Sequence, residues 1–179
     1  MEPRKAGTSS PAVWKIDCPY TAVEFSCKRF FFLTVRGRWA VREGTALISK
    51  DLSQSSVHAV IDAASINTGN SKRDAHLKSA DFFDARNHPE IEFKSTRVER
   101  GQDRDTLRIA GTLTIKGVSR EIILDVVEAE RSRSPLGYDV AYYSASVQLN
   151  RADFGIRHGG WLIGPKVNVA IHVQASSRQ

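Results

Sequence analysis

Residues 70–95 read NSKRDAHLKSADFFDARNHPEIEFKS, and they decide the fold because they interrupt, with a helical signal, a chain that otherwise alternates like strands. Asn70 or Ser71 offers a short side-chain oxygen that can accept a bond from an unpaired N–H of the first helical turn, which favours a helix start. The helix is expected to run to about Ala80 and to bring Ala75, Leu77 and the Phe82–Phe83 pair against apolar surroundings. Pro89 forbids continuation, since it has no N–H to donate and its ring clashes with the preceding turn. Beyond it, Ile91 and Phe93 alternate with Glu90, Glu92 and Lys94, the period of a half-buried strand. One short helix carrying an aromatic pair, set in an all-β chain, reads as a plug or lid on a barrel. A lid implies a cavity to close.

The alternation extends to both sides. Val23, Phe25 and Cys27 face away from Glu24, Ser26 and Lys28, and Gly37, Trp39 and Val41 alternate with Arg36, Arg38 and Arg42. Val57, Ala59, Ile61 and Ala63 share one face, as do Leu107, Ile109, Gly111, Leu113 and Ile115. The stretches 136–149 and 167–175 complete the series. Short strands joined by Gly, Pro, Asn and Ser turns argue for an antiparallel meander. With about eight strands, closing the sheet removes its exposed edges and gives an up-and-down barrel. A barrel of that size is either filled by its own side chains or holds one small ligand, and periodicity leaves both open.

Bulk properties set limits. A length of 179 residues fits one domain, and a chain of this size buries roughly 70% of its unfolded surface, so its core needs no disulfides. Cys18 and Cys27 fit no metal spacing and are expected to be free thiols. The longest apolar cluster, Phe30 to Leu33, is far short of the ~20 residues a membrane-spanning helix needs. The opening MEPRKAGTSSPAVW is polar, without the apolar centre of a secretory leader. It reads as a flexible tail over 1–12 before a domain at 13–176, in a cytoplasmic protein. A formal charge of +6 favours anionic partners in general. Nucleic acid is not expected among them, because no aromatics interleave with the arginine clusters on a shared outer face.

The catalytic inventory is poor. His58, His76, His88, His158 and His172 form no HExxH, and the chain has no CxxC, GxSxG, phosphate loop or dinucleotide glycine fingerprint. No catalytic residue, metal or cofactor is therefore expected. His76, the one histidine inside the helical segment, reads either as a helix-surface residue or as a polar contact near a pocket mouth. What the chain does carry is apolar surface facing one way. Phe25, Trp39, Phe93, Leu113, Tyr142 and Phe154 read as inward, with Phe30, Phe31, Phe82 and Phe83 on connecting segments. By itself such a set reads first as core.

Taken in order, these motifs resemble the YceI-like family of polyisoprenoid-binding, lipocalin-like barrels. The resemblance rests on Arg73, Asp74, His76, Leu77, Lys78, Ser79, Asp81 to Ala85, Pro89, Phe93 and Ser95. It continues upstream in Trp14 to Asp17, Val35 to Trp39 and Ile61 to Thr68, and downstream in Gly111 to Val118, Arg151 to Gly155 and Val167 to Ile171. It spans about residues 14–175. It implies a lipocalin-like antiparallel up-and-down β-barrel of about eight strands with one short α-helix, holding a long isoprenoid or quinone-like chain inside. The implied role is non-catalytic binding, transport or storage of an amphipathic isoprenoid-type lipid. Candidate ligand-binding residues are then Phe25, Phe30, Phe31, Trp39, His76, Phe82, Phe83, Phe93, Leu113, Tyr142, Phe154, Arg157, Trp161 and Ile163.

Such a ligand needs little polar chemistry, since each buried CH₂ is worth ~0.8 kcal/mol and a few polar groups suffice to place its head. The chain departs from the family at two places. Ile163-Gly164 is followed by Pro165-Lys166 where an acidic residue is common, and Tyr20-Thr21 stands where His-Ser is common. The glycine-rich loop from Gly155 to Trp161 reads as mobile, and Arg157, His158 and Lys166 give it positive charge suited to a phosphate or carboxylate head group. The alternative is a hydrolase or isomerase acting on a lipid-like substrate in the same cavity. A transient membrane-surface contact, and a homodimer through outward Ile123 and Val127, stay open.

Overall fold

Strand follows strand around a ring. The computed structural model describes residues 11–177; the tail expected over 1–12 lies outside them except for Pro11 and Ala12. Ala12 already belongs to the first strand, β1 (Ala12–Ile16). The rest are β2 (Ala22–Arg29), β3 (Leu33–Ile48), β4 (Ser56–Asp62), β5 (Glu90–Arg100), β6 (Thr106–Ile115), β7 (Val118–Arg133), β8 (Asp139–Asn150) and β9 (Ile163–Ser176). From β2 onward each strand pairs antiparallel with the next, and β9 returns to pair with β2. The result is the expected up-and-down barrel of eight strands, with β1 wedged between β3 and β9.

Turn chemistry fixes the register. Lys116 and Gly117 both take positive φ, 51° and 73°, in the two-residue turn between Ile115 and Val118. That is the mirror-image turn whose twist matches the strands it joins. Two inward glycines make room for rings. A Cβ on Gly37 would lie 2.5 Å from the Phe25 ring, and one on Gly111 would lie 2.5 Å from that of Phe93. Each ring thus packs against the glycine of its neighbouring strand, where any side chain would clash.

The two ends are closed differently. At one end β1 sends Trp14 against Ala141 and Ala175, with the Arg131 guanidinium 5.2 Å from its ring. At the other sits the helix α1 (Ser71–Lys78), started by Asn70, whose side chain accepts from the Arg73 N–H at 3.0 Å as the sequence predicts. It stops two residues short of Ala80, because Ser79 turns out of the helix and donates to the His76 carbonyl. The chain then folds back: the N–H groups of Phe83 and Ala85 bond to the carbonyls of Leu77 and Lys78. This return drives Phe82 and Phe83 toward the barrel.

One inward assignment fails. Tyr142 is 38% exposed on the outer face, paired with Gln174. In β8 the odd positions face inward, from Ala141 through Tyr143, Ala145 and Val147 to Leu149. Strand parity, not ring size, selects Tyr143.

Candidate functional site

The interior at the α1 end is an aromatic stack. Phe25 of β2 and Trp39 of β3 lie 4.4 Å apart between centroids, and Phe83 meets Trp39 edge-on at 5.3 Å. The lid therefore places one ring of its aromatic pair on the wall of the barrel. Phe93, Leu113 and Phe154 are buried in the same cluster, and Phe82 is buried at its edge. Among the described residues the indole Nε1 of Trp39 is buried with no hydrogen-bond partner. An unmade bond of this kind costs about 1–3 kcal/mol. It is a donor held inside the apolar core cluster, where an acceptor would relieve it.

One side of the chamber is less filled. On β5 and β6 the inward Ile91, Phe93, Ile109 and Leu113 are buried. On β8 and β9 the inward Ala141, Val169 and Ala175 are buried, but Tyr143, Val147, Leu149, Val167, Ile171 and Val173 are only half-buried, as is Cys27 on β2. The wall itself parts nearby. Pairing of β7 with β8 ends at Asp125–Ser146, although both strands run on, to Val118 and Asn150. An opening of about 840 Å³ occupies the gap, reaching from outward Ile123 and Gln148 to inward Ile122, Leu149 and Gly111. That volume lies within the range of small-molecule sites. Burial holds the Cys27 thiol and the Tyr143 phenol above their ordinary pKa values, the phenol accepting from Arg131 at 3.4 Å toward the Trp14 end.

A second opening, of about 410 Å³, lies between the β2–β3 turn and the loop after β8. Phe31, Arg157, Trp161 and Ile163 line it, as do Lys28 and Arg151. Phe31 and Trp161 stack at 6.2 Å over its rim. Phe31, Phe32 and Trp161 are 77%, 75% and 74% exposed. Phe30 and Phe31 adopt positive φ, 50° and 64°, a strained choice for bulky residues. Phe30 is half-buried with Arg29 4.8 Å over its ring. Of the expected ligand-binding residues, the fold thus gathers Phe25, Trp39, Phe83, Phe93, Leu113 and Phe154 in the interior. Phe31, Arg157, Trp161 and Ile163 gather at the mouth, and Tyr142 is in neither group.

The loop expected to be mobile is held by Arg151. Its guanidinium donates to the carbonyls of Ile156, His158, Gly160, Ile163 and Gly164, at 2.8–3.2 Å. Burial lowers its pKa from the usual arginine value. Sequence reasoning missed this role, because carbonyl acceptors belong to every residue and leave no motif.

It also missed a meeting of side chains. His76 near the end of α1, Asp81 just beyond it and His158 in the loop come together at the surface. Nε2 of His76 is 3.0 Å from Oδ2 of Asp81, and Nδ1 of His158 is 3.8 Å from the same oxygen. His76 is accordingly a mouth residue with polar contacts and exposed to solvent, not a chamber wall.

The model of the YceI-like domain family matches residues 14–175. A UPF0312 protein of Pectobacterium atrosepticum is 31% identical over 154 residues, covering 84% of this chain and 79% of the relative. Among solved structures, BcnA of Burkholderia cenocepacia superposes with a TM-score of 0.76 at 19% identity, over 89% of this chain and 98% of its own. A polyisoprenoid binding domain from Saccharophagus degradans superposes with a TM-score of 0.66 at 17% identity, over 92% and 98%. At such identities these two likenesses speak for the fold.

Proposed function

The chain belongs to the YceI-like family, and on that premise we propose that its barrel binds an amphipathic isoprenoid-type lipid, as a non-catalytic carrier or store. The observation behind this reading is that the barrel interior holds a buried donor without a hydrogen-bond partner, Trp39 Nε1, while several inward side chains of β8 and β9 are only half-buried. A hydrocarbon tail gains ~0.8 kcal/mol for each CH₂ it buries there, and an oxygen on the ligand satisfies the indole. The polyisoprenoid-binding character of the Saccharophagus degradans domain supports the same ligand class.

Loading is proposed to take place at a membrane surface, through the turn bearing Phe31 and Phe32 together with Trp161. Exposed aromatic rings of this kind settle at the lipid–water interface. The two segments that build this tip, residues 25–42 and 154–177, hold Lys28, Arg29, Arg157 and Lys166 among other cations and no carboxylate side chain. That suits an anionic bilayer, to which each nearby cation adds about 1 kcal/mol. A cytoplasmic location belongs to the same proposal, and the free thiols of Cys18 and Cys27 accord with a reducing compartment. No helix among the described residues is long and apolar enough to cross a membrane.

Titrating the protein with an isoprenoid quinone while following tryptophan fluorescence tests the reading. Saturable quenching at one quinone per chain, with the quinone recovered intact, is expected. Conversion of the quinone to another product would turn the reading toward an enzyme, and absence of quenching would remove it.

A further inference from the structure

We propose that His76, Asp81 and His158 form a binding site for a divalent transition-metal ion of the zinc class, and that the ion clasps α1 to the loop across the barrel mouth. Two imidazole nitrogens and a carboxylate oxygen are a donor set that zinc and its neighbours accept, and that magnesium and calcium, which prefer oxygen, do not. The three donor atoms lie within 4.8 Å of one another. Donors bound to one such ion at ~2.0–2.1 Å sit about 3.3 Å apart. The observed separations of 3.0 Å and 3.8 Å from the shared Asp81 oxygen bracket that figure. Small side-chain rotations complete the site, and water fills the remaining position.

The site is also held from behind. His158 lies between Gly155 and Gly159, whose positive φ values of 73° and 82° shape the loop, and its carbonyl is fixed by Arg151 at 2.8 Å. The carbonyl of His76 accepts from Ser79 at 2.7 Å. Both imidazoles pack edgewise on Phe82, at 5.0 Å and 5.1 Å, and lie 5.0 Å from each other. These contacts restrict the backbone and the ring positions of both histidines. All three side chains are about half exposed, so an ion enters from solvent without unfolding anything. The two halves of the site come from segments with no strand pairing between them, so the ion joins what the backbone leaves separate. The inference stands apart from the identity of any lipid.

The test uses tag-free, full-length protein stripped with a chelator and titrated with Zn²⁺ by calorimetry. One ion per chain is expected, with affinity falling at least tenfold in His158→Ala and in Asp81→Asn. His172→Ala, which removes an exposed imidazole on β9 away from the cluster, should bind as the wild type does. Hydrogen exchange of residues 71–85 should slow with Zn²⁺ in the wild type and not in His158→Ala, a surface change that leaves the core intact. Equal Zn²⁺ affinity in wild type and His158→Ala would overturn the site, as would preferential binding of Mg²⁺. Zinc binding that leaves exchange in 71–85 unchanged would overturn the clasp.

Discussion

Trp39 and Arg151 show how single side chains shape this molecule. Trp39 holds its ring between Phe25 and Phe83 and its N–H without an acceptor. Trp39→Phe removes the orphan donor, a gain of about 1–3 kcal/mol, and leaves a small void that offsets it. The free variant should therefore melt close to the wild type, while its affinity for an isoprenoid quinone falls about tenfold, or ~1.4 kcal/mol. A variant equal to wild type in both calorimetry and quinone titration would separate the indole from the ligand. Arg151 works on the protein itself. Arg151→Ala leaves five carbonyls without their shared donor. It should destabilise by about 3 kcal/mol, given that bonds to charged groups are worth ~1.5–3 kcal/mol each before solvent replaces them. Denaturant unfolding measures this, and a loss below about 1 kcal/mol would show that water substitutes for the guanidinium.

Elements differ in how locally they are determined. Asn70 caps α1 by a bond to the Arg73 N–H, and Asn70→Ala should cost about 1 kcal/mol and speed hydrogen exchange in 71–78 before any other element responds. In β7 the carboxylate of Glu128 is held below its usual pKa by hydrogen bonds from Arg131, at a bulge opposite Tyr142 and Tyr143. A depressed folded pKa adds stability that is complete above the unfolded value of about 4.3 and is lost as pH falls through the folded value. Melting temperatures from pH 6 to pH 3 should fall less steeply in Glu128→Gln than in the wild type, and equal slopes would assign the acid response elsewhere. The helix and the ring of strands were legible in sequence because caps, prolines and period-two alternation act between near neighbours. Tyr142 was not, since Tyr142 and Tyr143 are adjacent rings and only the parity shared with Val147 and Leu149 separates them. Nor was the meeting of His158 with Asp81, which lie far apart in sequence and are joined only when the barrel closes.

At the scale of the whole molecule, the two ends have separate roles. Trp14 closes one end, while the α1 end presents strained, exposed aromatics beside cations and two openings lined by both apolar and charged side chains. If that end meets membranes, the protein should sediment with phosphatidylglycerol vesicles and not with phosphatidylcholine vesicles. Combined Phe31→Ser, Phe32→Ser and Trp161→Ser changes should lower that binding at least tenfold with little effect on melting. Binding to both vesicle types alike, or unaltered by the three changes, would place the contact elsewhere. Whether the barrel holds a lipid is read out by native mass spectrometry of gently purified protein, followed by solvent extraction of what is released. A discrete added mass that extracts as an isoprenoid, quinone or related long-chain lipid is expected. A clean apo mass, unchanged after incubation with isoprenoid lipids, would contradict it and mean that the chamber is filled by its own side chains.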